Sequence, residues 1–185
     1  SAFGGEQRSA VSNAITLWNV RYATFFKTQM DYRKYFNFKH RQQIAIRSFF
    51  GFGIPLDKNG VIPFDQLYYS GGANSIRGWR QRTLGPGSFV NESNTIDRLG
   101  EIKIEANIEY RFPITSIFKG AAFIDAGNVW TKESDQDADD FDPDFQFNRF
   151  YKEIAVSPGL GLRFDFDFFL FRFDVGVPLK QPYNR

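Results

Sequence analysis

The sequence predicts an all-β protein, an antiparallel transmembrane β-barrel ahead of a soluble sandwich or lipocalin-like barrel, and three observations carry that expectation. Apolar and polar residues alternate with a period of two over several stretches, and no helical periodicity competes with it. Phenylalanine is abundant, 23 of 185 residues, and raises the aromatic share to 18% in a chain that is still 24% charged. No stretch approaches the ~18 consecutive apolar residues of a membrane-spanning helix. A barrel strand escapes that test, because it needs only ~9–11 residues and shows lipid every second side chain.

In chain order, residues 1 to 20 have no clear pattern, although "AITLWNV" (14 to 20) suits part of a further strand. The opening "SAFGGEQRSA" has neither the charged start nor the apolar run of a signal peptide. Strand period appears in "TFFKTQMDYR" (24 to 33) and "RSFFGFGI" (47 to 54), separated by a turn at "NFKHRQQ". About forty residues from 56 to 98 then lack a convincing strand. Loops beyond ~12–15 residues are usually functional or disordered, and this one, with "IPFDQLYYSGGANSIRGWRQRTLGPG", has the aromatics and glycines of a packed segment. Gly71, Gly72 and Gly78 give it the backbone freedom to fold back on itself.

From Glu101 to Phe112 the alternation is unbroken, with Ile102, Ile104, Ala106, Ile108, Tyr110 and Phe112 on one face and Glu101, Lys103, Glu105, Asn107, Glu109 and Arg111 on the other. After "FPITSIFKG" comes the more apolar run "GAAFIDAGNVW" (120 to 130), then an acidic stretch. The last pair of strands, "GLGLRFDF" (159 to 166) and the run from Phe169 to Val177, reverses its phase at Asp167 to Phe169, as a tight hairpin requires. About six strands result. Alternation alone does not say which face is wet, but aromatics near strand ends (Tyr35 and Phe36, Tyr110 and Phe112, Trp130, Phe150 and Tyr151) suit the girdle of a membrane barrel.

Composition excludes several functions. Lys+Arg 23 against Asp+Glu 21 leaves a net charge of +2 with the basic residues dispersed, so nucleic acid is not an expected partner. With no cysteine and one histidine, thiolate chemistry and a His-based metal site are out of reach. His40 sits between Lys39 and Arg41, a poor setting for a general base, and Ser48 and Ser157 have no evident partner, so an enzymatic role and a cofactor are not expected. Asp135, Asp137 and Asp139 alternate as calcium ligands do, but the glycine and terminal glutamate of an EF-hand loop are missing, and a solvated loop is expected. "NES" (91 to 93) matches a glycosylation acceptor by chance.

Three segments together resemble the outer-membrane assembly superfamily of BamA, TamA and the two-partner secretion translocators. They are "GGANSIRGW" (71 to 79), "FIDAGNVW" with Phe123, Asp125 and Gly127, and "GLGLRFDFDFFLFRFDVGVPL". The resemblance runs from about Arg21 onward and implies that the 56–98 loop folds into the barrel lumen. It implies Asp125 as the partner of Arg77, with Glu109 as a second candidate. A guanidinium drawn into a partly screened lumen needs anions, and its planar fork suits carboxylates. On this reading Gly127 leaves room for the loop, Trp79 packs beside the arginine, and Arg77, Gly78, Trp79, Gly71, Gly72, Glu109, Phe123, Asp125 and Gly127 form a latch.

About six strands are too few to close a barrel, for which the smallest outer-membrane examples need eight. The chain is therefore expected to be the C-terminal part of a larger protein without its final strand, following periplasmic POTRA domains and leaving an exposed edge at Val175 to Leu179 that favours aggregation. The implied function is assembly of other β-barrels in the bacterial outer membrane. The implied partners are nascent barrel clients, the lipid bilayer with lipopolysaccharide, and accessory lipoproteins or periplasmic chaperones. A dedicated secretion translocator, a passive porin with a constriction loop, and a soluble ligand-binding barrel are the alternatives.

Overall fold

The structure, a computed structural model, describes residues 16–17, 20–21, 23–56, 60–89, 98–132, 143–166 and 168–182. Alternation sets the architecture. Where it is sustained, the chain forms β3 (Phe25–Asn37), β4 (Gln43–Pro55), β5 (Ile102–Pro113), β6 (Phe118–Trp130), β7 (Ala155–Phe166) and β8 (Phe169–Gly176). Each pairs antiparallel with the next in one six-stranded sheet of order β3-β4-β5-β6-β7-β8. Before it, β1 (Thr16–Leu17) and β2 (Val20–Arg21) make a short separate ladder, so the expected strand at 14 to 20 is only a fragment among the described residues.

The hairpins are short. At the first, Phe38 donates its backbone N–H to Gln42 across a 3-10 turn in which His40 and Arg41 take positive φ (61° and 59°). At the second, the Thr115 hydroxyl accepts the N–H groups of Ile117 and Phe118. At the third, Phe166 pairs with Phe169, which places the phase reversal where the sequence predicted it. The isolated acidic pattern at 135 to 139 and the acceptor motif at 91 to 93 lie outside the described residues.

The burial pattern decides which face is wet. One sheet face carries Phe26, Met30, Tyr32, Ile108, Ile124, Leu160, Phe171, Phe173 and Val175, all exposed, with Leu160 at 68% and Phe173 at 62%. The opposite face carries Lys103, Glu105, Glu109, Asp125 and Arg163, all buried. A soluble barrel would have this reversed. Charge inside and apolar side chains outside is the arrangement of a strand wall in lipid, and strands of 12 or 13 residues from β3 to β7 are long enough for it.

The interior face is covered by residues 60–89, which belong to the chain between β4 and β5. It contains a 3-10 turn (Phe64–Gln66) and is tied by backbone bridges, Tyr68 with Gly100 and Ser70 with Leu84. Its own apolar kernel of Ile76, Trp79 and Leu84 is buried with Ala155 of β7. At the far end of β6, Trp130 is fully buried, donates its indole N–H to Glu153 at 2.7 Å and meets Phe145 edge-on at 5.4 Å. Trp130→Phe keeps an aromatic ring at this buried position but removes the indole N–H that Glu153 accepts. The expected cost is about 1–3 kcal/mol, read as a lower urea midpoint in detergent.

Past Gly176 the chain keeps to β7, with Val177 donating to Pro158 and Leu179 to Val156. The outer side of β8 has no neighbouring strand among the described residues.

Candidate functional site

The loop turns sharply because two successive glycines allow it. Gly71 and Gly72 take φ of 94° and 98°, and Gly72 donates its N–H to the Trp79 carbonyl at 2.8 Å, closing a compact turn from 72 to 79. Arg77 is thereby pointed at the sheet. Its backbone N–H and Nε both donate to Asp125 Oδ2, at 3.0 and 2.8 Å, and Nη2 donates to Oδ1 at 2.9 Å. Nη1 reaches Glu109 at 2.6 Å and Asp174 at 3.2 Å. The guanidinium is thus shared among carboxylates from β5, β6 and β8.

Strand register brings those carboxylates together. Asn107 of β5 faces Asp125 of β6, Glu109 faces Phe123, and Gly161 of β7 faces Asp174 of β8, so all lie on the interior parity of the sheet. A Cβ at Gly159, opposite Phe123, would run into the Phe123 ring. Glycine there lets the ring lie across the sheet, and the Arg77 guanidinium carbon sits 3.3 Å from its centroid. The remaining carboxylate capacity is taken by other arginines. Glu109 also accepts from Arg111 (2.7 Å) and Arg163 (3.0 Å), and Asp174 from Arg163 (2.5 Å). Buried charge is tolerable only when paired and hydrogen-bonded in this way.

The loop tip has further ties. Asn107 Nδ2 donates to both Asp125 and the Ser75 carbonyl at 2.9 Å. Arg172 donates to the Ala73 carbonyl at 2.6 Å and Arg47 to the Asn74 carbonyl at 2.8 Å. Gly78 passes so close to β7 that a Cβ there would stand 2.9 Å from Ser157 Cβ and 3.2 Å from the Pro178 nitrogen. On the other side, a Cβ at Gly176 would stand 2.8 Å from the Gly78 nitrogen.

Most of the sequence-predicted residues meet at this place: Arg77, Glu109, Phe123 and Asp125 in contact, with Gly71, Gly72 and Gly78 shaping the backbone. Two are placed differently. Trp79 joins Ile76, Leu84 and Ala155 in the loop's apolar kernel, and the ring against the arginine is Phe123. Trp79 stands two residues beyond Arg77, and the turn carries it into that kernel instead. Gly127, at φ 153°, makes room for β5, since a Cβ would lie 2.8 Å from Glu105 Cα. Sequence reasoning missed Asp174, Arg163, Asn107 and Glu105 as participants. Each lies on a polar face that alternation identifies, and only the register between strands tells which of those residues stand level with the loop.

Comparison with known proteins finds relatives in sequence and in fold. Residues 11–185 match the Omp85 superfamily domain. A stretch of 74 residues is 34% identical to the outer membrane protein assembly factor BamA of Neisseria meningitidis serogroup B, covering 37% of this chain and 9% of that protein. The crystal structure of BamA from Haemophilus ducreyi lacking POTRA domains 1-3 superimposes with a TM-score of 0.68 at 23% identity, over 86% of this chain and 32% of the other, which establishes a common fold. The chain therefore spans a minor part of the relatives it matches. An inverted sheet, a loop pinned on its charged face and a family match over nearly the whole length lead to one conclusion: the chain belongs to the Omp85 superfamily of bacterial outer-membrane β-barrel proteins for protein assembly and translocation.

Proposed function

We propose that the protein of which this barrel wall is part inserts other β-barrel proteins into the outer membrane, and that this wall supplies the lumen latch. The observation that carries the reading is Arg77, held by carboxylates of β5, β6 and β8 at once, so that one loop side chain cross-braces the sheet. A braced wall gives the opposite seam something rigid to open against. A client strand then adds to the open edge through main-chain hydrogen bonds. The driving force is burial of the client's apolar face and closure of its edges, so neither a nucleotide nor a catalytic side chain takes part. The clients are nascent barrels, with the bilayer and its lipopolysaccharide around them and lipoproteins or periplasmic chaperones as accessory partners.

Outer-membrane proteomics after depletion of the full-length protein tests the reading. A broad fall in many unrelated barrel proteins is expected. Loss of a single secreted protein, with other barrels unchanged, would replace the insertase with a dedicated translocator that uses the same latch.

A further inference from the structure

We infer that the loop is clamped a second time, at its stem, by a carboxylate socket centred on Glu105 and an aromatic seat for Tyr68 on Gly51, separate from the Arg77 contacts at its tip. Glu105 is 1% exposed, yet it lies on the strand face that looks into the lumen. Its Oε1 accepts the Ser70 hydroxyl at 3.1 Å and also the Ser75 hydroxyl in a short hydrogen bond. Those serines flank the glycine pair, and Ser75 Oγ in turn accepts the Gly71 N–H at 3.0 Å. One carboxylate thus closes the base of the turn that presents Arg77. Lys103, two residues away on the same face, balances the charge at 3.0 Å.

Tyr68 holds the adjoining residues. Its hydroxyl donates to the Thr28 carbonyl at 2.9 Å, and its ring lies where a Cβ at residue 51 would be 2.6 Å from Cζ. Only glycine at 51 admits the ring. The stem is therefore gripped by β3, β4 and β5, whereas the Arg77 side chain at the tip is gripped by β5, β6 and β8. Glu105 is a positioning residue that acts through the serines. The inference concerns the same loop as the proposed function but does not depend on what the protein assembles.

Limited trypsin digestion of the full-length protein in detergent micelles tests it, with cuts after Arg80 and Arg82 identified by mass spectrometry and barrel folding followed by heat-modifiable gel mobility. Glu105→Gln is expected to speed those cuts tenfold or more while the barrel stays folded, because a neutral amide oxygen holds the two hydroxyls more weakly than the carboxylate and no longer balances Lys103. Ser70→Ala with Ser75→Ala is expected to act in the same direction. Adding both to Glu105→Gln should bring little more, as for groups acting as one unit. Unchanged cleavage in folded Glu105→Gln overturns the stem clamp. If that variant does not fold, unchanged cleavage in the folded serine pair overturns it. No client is needed for this readout, so a failed depletion experiment with accelerated cleavage would remove the insertase and leave the clamp.

Discussion

Arg77→Ala is expected to free the loop tip from the barrel wall and, on the proposed function, to lower barrel assembly by the full-length protein to near background, with the barrel still inserted. Asp125 is the reason for the size of the effect. Its side chain is fully buried and takes two of the guanidinium's donors, leaving only Asn107 and the residue 77 backbone N–H after the change. Removing one partner of a buried ion pair costs about 3–5 kcal/mol. Glu109 and Asp174 suffer less, because Arg163 contacts both. Arg77→Lys should recover little, since an ammonium cannot reproduce the fork that spans both oxygens of Asp125 while touching Glu109. A charge exchange gives a sharper outcome: Arg77→Asp alone is expected to impair the protein, and combination with Asp125→Arg to restore part of its activity. Barrel client levels and heat-modifiable mobility measure both variants, and absence of rescue with both folded would count against direct pairing.

Gly78→Ala is expected to be nearly as damaging through shape alone. The added methyl must enter the space of Ser157 beside the Pro178 backbone, where neither β7 nor the chain after β8 has slack. Overpacking at such a site costs about 1–3 kcal/mol, and here the easiest relief is for the loop to lift, carrying Arg77 away from its carboxylates. Adding Ser157→Gly to Gly78→Ala should partly restore the seating of the loop. The Ser157 hydroxyl is buried without a hydrogen-bond partner in the structure, so its loss forfeits little. Loop protection from trypsin, compared across the two single variants and the pair, reads the result.

Much of this wall was legible because a period of two needs no tertiary information. The run from Glu101 to Phe112 alone separates the residues that face the lumen from those that face lipid. What alternation could not supply was the sign of the environment, since Ile108 outside and Glu109 inside is the same pattern as the reverse. The three-segment resemblance supplied it and pointed to Arg77 and Asp125. Position along the strand was harder to read. Glu105, Asn107 and Glu109 are equivalent in sequence, yet they meet respectively the stem, the tip carbonyl and the guanidinium, because the loop descends obliquely across β5. Trp79 and Gly127 were read for their neighbours in sequence, while the turn and the β5 backbone decide what they touch.

The inverted sheet has a consequence for how such a chain tolerates mutation. Side chains on its outer face meet fluid hydrocarbon, which has no fixed shape, so Phe171, Phe173 and Leu160 can exchange for one another with little effect. Side chains on the inner face meet a rigid set of partners with assigned charges. Drift should therefore accumulate among apolar residues, the class that in a water-soluble domain is held most tightly, while isolated lysines, glutamates and glycines stay fixed.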